Sequence, residues 1–112
     1  MKQKLMLLMI MMILFSVTTF AKETFTKTSF IVSGNCDMCK SRIEKAAKLK
    51  GVKSVVWNET SHILTLIFVV NIVSVDEVQQ NIAQAGYDTP KFKAEQTSYY
   101  NLPQCCHYDR DK

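Results

Sequence analysis

The chain has 112 residues and little of what most enzyme classes need. It carries two histidines, His62 and His107, and no serine–histidine–acid set, phosphate-cradling loop or paired-carboxylate spacing stands out. That argues against an enzyme. Charge is thin as well. The formal net charge is +4, and two of the lysines behind it, Lys2 and Lys4, stand at the N-terminus. Such a balance, spread over scattered lysines, favours neither a nucleic acid nor a membrane surface as partner. The apolar run Leu5 to Phe15 is 11 residues long, short of the roughly 18 or more that a membrane-spanning helix needs. With Lys2 and Lys4 before it and the small residues Thr19 and Ala21 after it, it predicts a secretory signal peptide over residues 1–21. A retained anchor is the alternative. No cysteine lies near Ala21, which argues against a lipid-anchored form. Five of the six methionines (Met1, Met6, Met9, Met11 and Met12) belong to this leader. Only Met38 remains beyond it, so methionine richness says nothing about a metal site.

What the chain does have is four cysteines, all beyond the leader, in two tight pairs: Cys36/Cys39 and Cys105/Cys106. In an exported chain an even count first points to disulfides. A disulfide framework scatters its cysteines to close long loops, whereas two local pairs have the pattern of reactive or ligand sites. Cys36-Asp37-Met38-Cys39 follows a strand-like run, Thr28 to Val32, and opens a helix-like run, Lys40 to Leu49. Two thiols therefore meet near a helix N-terminus, where backbone N–H groups and the helix dipole favour thiolate. That arrangement serves a soft metal ion or a redox disulfide.

Beyond the leader the sequence divides into two similar halves. In the first, a strand (25–32) leads to a helix (37–49), Gly51 and a strand (52–58). In the second, a strand (62–69) leads to a helix (75–85), Gly86 and a strand (88–93). Gly51 and Gly86 stand where helices end in a left-handed residue. Ser74-Val75-Asp76-Glu77 is a capping box, and Asn58 to Ser61 is a polar hairpin turn. Ile43, Ala46 and Ala47 share a helix face, as do Val75, Val78 and Ile82. The expected fold is α+β, a ferredoxin-like βαββαβ sandwich with two helices on one face of a four-stranded antiparallel sheet. Its core holds Phe30, Trp57, Leu64, Leu66 and Phe68. Val56 and Ile67 fall on the alternate side of their strands. They leave an apolar patch on the open sheet face, for which the C-terminal tail is the expected cover and a partner surface the alternative. The tail, 95–112, does not continue the pattern. Its Tyr99, Tyr100 and Leu102 are apolar enough to dock.

The cysteine pair at the first strand–helix turn, the βαββαβ order and Gly86-Tyr87-Asp88 after the second helix resemble the heavy-metal-associated domain. That family includes copper chaperones, N-terminal domains of copper-pumping ATPases and periplasmic mercury-binding proteins. The resemblance covers about residues 26–94 and gives a domain division of 1–21, 22–94 and 95–112. It implies that Cys36 and Cys39 bind the metal and that Tyr87 shields it. It also implies a metal-transporting ATPase or another donor or acceptor protein as partner, and a monomer or metal-bridged dimer. Neither nucleic-acid binding nor stable membrane insertion after leader removal is implied. Location would be export, and the periplasm in a Gram-negative cell. Two departures stand out. Family members carry Met two places before the first cysteine, where this chain has Gly34. The link Phe68 to Val73 is unusually apolar.

Soft thiolates select Cu(I), Ag(I), Hg(II), Zn(II) or Cd(II). Two thiolates on a short loop suit near-linear Cu(I) or Hg(II), whereas Zn(II) calls for four ligands. Cu(I) is the leading expectation and Hg(II) the second. Thiol–disulfide redox and a structural disulfide remain alternatives, although the aromatic and proline that surround a thioredoxin-like pair are missing. An oxidising periplasm would require reduction of the pair before it binds. Cys105, Cys106 and His107 are candidate auxiliary ligands. They could equally accept metal passed from Cys36/Cys39, form a disulfide to the first loop, or make a dimer contact. If the tail folds back, four thiols converge, which suits Zn(II), Cd(II) or a Cu(I) cluster. Lys40 is a candidate to offset thiolate charge, or a solvated lysine. His62 is expected as an exposed turn residue, and Asn58-Glu59-Thr60 as a turn rather than a glycosylation site.

Overall fold

A computed structural model describes residues 1–13 and 24–110. The expected leader begins with helix α1 (Lys2–Ile13). The predicted cleavage point after Ala21 lies outside the described residues. Among those described, no helix is long and apolar enough to cross a membrane.

The domain contains β1 (Phe25–Ile31), α2 (Asp37–Ala47), β2 (Val52–Trp57), β3 (Ile63–Val69) and α3 (Val75–Gln84). The sheet has three antiparallel strands in the order β1-β3-β2. Phe30 pairs with Leu64 in one ladder, and Trp57 pairs with Leu64 in the other. Alternation decides the faces. Leu64, Leu66 and Phe68 of the central strand point into the core beneath α2 and α3, with Trp57 from β2. Phe30 packs at the edge of that core. The helices contribute Ile43, Ala47, Val78 and Ile82. Asn81 Nδ2 ties α3 to α2 by donating to Ala46 O at 2.6 Å. The hairpin between β2 and β3 is an Asx turn, with Asn58 Oδ1 accepting from Thr60 and Ser61 N–H.

The fourth strand expected at 88–93 is absent from the sheet among the described residues. Ser33 N–H does donate to Asp88 O at 3.0 Å. Beyond that point the backbone finds other partners. Thr89 N–H donates to Phe92 O at 2.8 Å, and Phe92 N–H returns to Thr89 Oγ1 at 3.1 Å. Lys91 N–H goes to Gln79 Oε1, and Ala94 N–H to Asp88 Oδ1. Pro90 has no N–H to offer a ladder. The segment is a side-chain-anchored loop where an edge strand was expected.

The tail forms α4 (Gln96–Tyr100) and a 3-10 turn (Gln104–Cys106). It does not cover the open sheet face, where Val56 remains 53 % exposed. It docks at the other side of the domain, on the loop after α3. Gly86, at φ +110, lies so close to the tail that a Cβ there would sit 2.8 Å from Ser98 O and 2.9 Å from a Leu102 methyl. Tyr108 donates its hydroxyl to Gly86 O at 2.8 Å and accepts from Asp88 N–H at 2.9 Å. Arg110 grips the Asp88 carboxylate with two nitrogens, at 2.9 and 3.0 Å. Forked pairs of this kind add geometric specificity to charge, so the tail has one seat.

Candidate metal centre

Cys36 is the N-cap residue of α2, with extended backbone (φ −139°, ψ 176°), and its side chain makes no cap hydrogen bond. Cys39 lies one turn further, buried against the core. Their sulfurs are 3.4 Å apart. The tail brings Cys105 Sγ to 3.1 Å and Cys106 Sγ to 3.9 Å from Cys36 Sγ. Cys105 and Cys106 sulfurs lie 4.0 Å from each other. Four thiols separated by up to 70 residues of chain therefore converge at one helix end. Cys36, Cys39 and Cys106 form a group whose sulfurs all lie within 4.8 Å of one another. Cys105 stays exposed beside Met38, with its sulfur 3.9 Å from the Met38 thioether.

The thiols differ in character. The Cys105 thiol, then the backbone N–H of Cys39, stabilise the Cys36 thiolate and hold its pKa near about 7. Cys105, the other side of that contact, is pushed up. Burial and then Cys39 push Cys106 up strongly. Of Cys36, Cys105 and Cys106, Cys36 is the one whose thiolate is favoured. A soft cation arriving there would displace the protons of its neighbours.

The loop is set by residues that the sequence left without chemistry. A Cβ on Gly34 would lie 2.9 Å from the Trp57 ring and 3.1 Å from an Ile43 methyl. Trp57 and Ile43 therefore fill the space beneath the loop at Gly34, the place where the resembling family carries Met. Its Nε1 donates to Val32 O at 3.0 Å, and His62 stacks on its ring at 5.6 Å. His62 closes the hairpin turn at φ +61, as expected of a turn residue, but is partly buried because its ring packs on Trp57. Turned so that both ends are satisfied, the Asn35 amide donates to Gly34 O at 3.1 Å and accepts from Tyr108 N–H at 3.2 Å, joining loop to tail. Tyr87, fully buried, stacks at 6.2 Å on Tyr108. Its hydroxyl neighbours Cys106, and burial raises its pKa well above the ordinary phenol value.

Other candidates are placed elsewhere. His107 is exposed, with its ring 5.1 Å from Tyr99, and is not in the thiol group. Lys40 bonds Glu44 at 2.8 Å and Trp57 O at 2.9 Å, which makes it a clip between α2 and the end of β2. Trp57 and Asn35 are the site-building residues that sequence reasoning passed over. Gly34 standing where a methionine belongs was the one signal that another side chain must fill the gap.

A heavy-metal-associated domain profile matches residues 29–88. This chain is a member of the heavy-metal-associated domain family. It is similar to a CopZ metallochaperone at 27 % identity, over 57 % of this chain and 98 % of that one, with a TM-score of 0.55. It is also similar to oxidized MerP from Ralstonia metallidurans CH34 at 25 % identity, over 59 % and 94 % of the two chains, with a TM-score of 0.56. A third likeness is the N-terminal domain of a potential copper-translocating P-type ATPase from Bacillus subtilis in the Cu(I)-loaded state. There identity is 26 %, coverage 59 % and 85 %, and the TM-score 0.56. No individually curated protein matches the chain. In each of these three likenesses the shared part is under two thirds of this chain. Together with the thiol cluster, family membership points to heavy-metal binding.

Proposed function

We propose that this protein is exported under a signal peptide, residues 1–21, and carries or sequesters a soft metal ion through Cys36 and Cys39. Cu(I) is the first candidate and Hg(II) the second. The observation behind the reading is the pair of sulfurs 3.4 Å apart at the N-terminus of α2, in a cluster that holds cysteines and no histidine or carboxylate among the described residues. Thiolates alone favour soft, low-coordinate ions over hard ones. The relatives lean towards copper: one is named a metallochaperone, and another is a P-type ATPase domain in its Cu(I)-loaded state. A metal-transporting ATPase, or another thiol-bearing donor or acceptor, is the fitting partner. The role is carriage or sequestration, with no catalytic step assigned. In a Gram-negative cell the location would be the periplasm.

The test is a competition titration of the fully reduced protein with Cu(I) against a chelator, beside the Cys36→Ser/Cys39→Ser double variant. Tight binding by the wild type and its loss in the double variant are expected. Weak binding by the wild type defeats the copper reading, and Hg(II) is then titrated in its place. Export is tested by the mass of protein recovered from the periplasm of an expressing cell. Loss of residues 1–21 is expected, and an intact leader overturns it. A second reading, thiol–disulfide exchange, draws on the ionisable Cys36 with Cys105 Sγ only 3.1 Å away. Turnover on a disulfide substrate with no tight metal binding would favour it.

A further inference from the structure

We propose that Cys106 is a third metal ligand, so that Cys36, Cys39 and Cys106 form a three-thiolate site closed by the C-terminal tail. The proposal rests on the soft-metal reading above and adds a coordination number to it. At a metal–sulfur distance of about 2.3 Å, three sulfurs around one ion in a plane stand about 4 Å apart. The separations are 3.4 Å from Cys36 to Cys39 and 3.9 Å from Cys36 to Cys106, and the three sulfurs all lie within 4.8 Å of one another. The site is close to three-coordinate spacing before any ion arrives.

Burial separates the two tail thiols. Cys106 is fully buried, and Cys105 is exposed. A buried cysteine can be a small apolar filler, but filler has no need to lie against two further thiols and a phenol. That phenol supplies an independent observation. Among the described residues the enclosed Tyr87 hydroxyl meets no partner at hydrogen-bonding geometry, although a buried hydroxyl nearly always has one. Its neighbour is Cys106. A neutral thiol is a poor acceptor, whereas a metal-bound thiolate is a charged one, so ligation by Cys106 gives the orphaned O–H its partner. Tyr87 is in this sense a positioning residue for the third ligand.

The tail is fixed at the same point. Tyr108 and Arg110, two and four residues past Cys106, lock onto Gly86 and Asp88. Chemically, each ligating thiol gives its proton to solvent as its metal–sulfur bond forms, and Cu(I) keeps its oxidation state. A two-thiolate site is open to a partner's thiol, whereas the third thiolate fills that position. Metal release then requires the tail to lift, and the protein is built for retention.

The test uses Cu(I) alone with the full reduced chain, without air. X-ray absorption is expected to count three sulfurs per copper in the wild type and two in Cys106→Ala, with affinity lower by at least about tenfold. Tyr87→Phe is expected to weaken binding in the wild type and to have no further effect in Cys106→Ala, a coupling that a merely structural tyrosine would not show. The wild-type count needs no variant to fold. Two sulfurs in wild type that binds copper tightly overturn this proposal and leave the soft-metal reading standing. Three sulfurs in both wild type and Cys106→Ala overturn it in favour of Cys105. Failure of the wild type to bind Cu(I) tightly defeats the copper reading itself, and this proposal with it.

Discussion

The two core helices start differently. α3 is capped by Ser74, whose hydroxyl accepts from Glu77 N–H at 3.1 Å, and acidic Asp76 and Glu77 occupy its first turn. α2 starts at Cys36, which makes no side-chain cap hydrogen bond as a thiol, although the Cys39 N–H favours its thiolate, and Asp37 alone is acidic in the first turn. The approaches differ in the same sense. Val73, before α3, is buried in the core. Before α2 stands Gly34, with no side chain, and Trp57 from a distant strand fills the gap. The βαβ first half and the βα second half thus divide the labour. The second ends its helix in the way that stabilises the fold. The first leaves its helix end to sulfur, and donor groups that a serine would have satisfied remain available to a thiolate.

Exchanging the caps is the sharpest break of this comparison. Cys36→Ser should reduce Cu(I) affinity more than about 100-fold, since a hydroxyl is a poor substitute for a soft thiolate. The metal-free protein should become more stable by about 0.5–1 kcal/mol as the new hydroxyl caps α2. Chelator competition reads the first effect and urea unfolding the second. Loss of stability in the metal-free variant would mean that α2 needs no cap.

Gly34→Ala probes the approach to the first helix. The added Cβ would sit 2.9 Å from the Trp57 ring, and overpacking of this kind costs about 1–3 kcal/mol. A shift in the urea midpoint checks it. An unchanged midpoint would show that Trp57 gives way freely and does not set the loop. Ser74→Ala should cost about 1 kcal/mol in the same assay and leave Cu(I) affinity unchanged. Any loss of metal binding there would mean that the halves are not independent.

The gentlest probe is pH. Cys36 is expected to react with iodoacetamide with a midpoint near about 7, below the ordinary thiol value of 9.0. Because the contact with Cys105 is the leading cause, Cys105→Ala should move that midpoint upward. The sign for stability follows from a folded pKa below the unfolded one. The contribution of Cys36 is full above about 9 and is lost as pH falls through about 7. A midpoint that stays near 9.0 would remove Cys105 from the account.

Much of this molecule is legible one neighbour at a time. Apolar spacing placed α2, α3 and the core residues Leu64, Leu66 and Phe68, because helix and strand periods are local rules. Ser74 and Gly86 mark helix ends for equally local reasons, a hydroxyl that caps and a residue that tolerates φ of +110. The Cys36/Cys39 pair at a strand-to-helix turn was visible for the same reason. At residues 88–93 local reading failed. The apolar and polar residues there suit an edge strand, but the backbone groups went to Gln79, Asp88 and the segment's own turn.

The sequence by itself determined the inward faces of α2, α3 and β3, where those two helices begin, and that two thiols stand at the start of α2. Tertiary structure alone decided that Trp57 lies beneath Gly34, that the tail seats on Gly86 and Asp88 and leaves the sheet face bare, and that Cys105 and Cys106 join Cys36 across some 70 residues. The first group follows from periodicity and capping, which act over a few residues. The second follows from packing and paired hydrogen bonds between segments far apart in the chain, and no periodicity in either segment records which partner the other will meet.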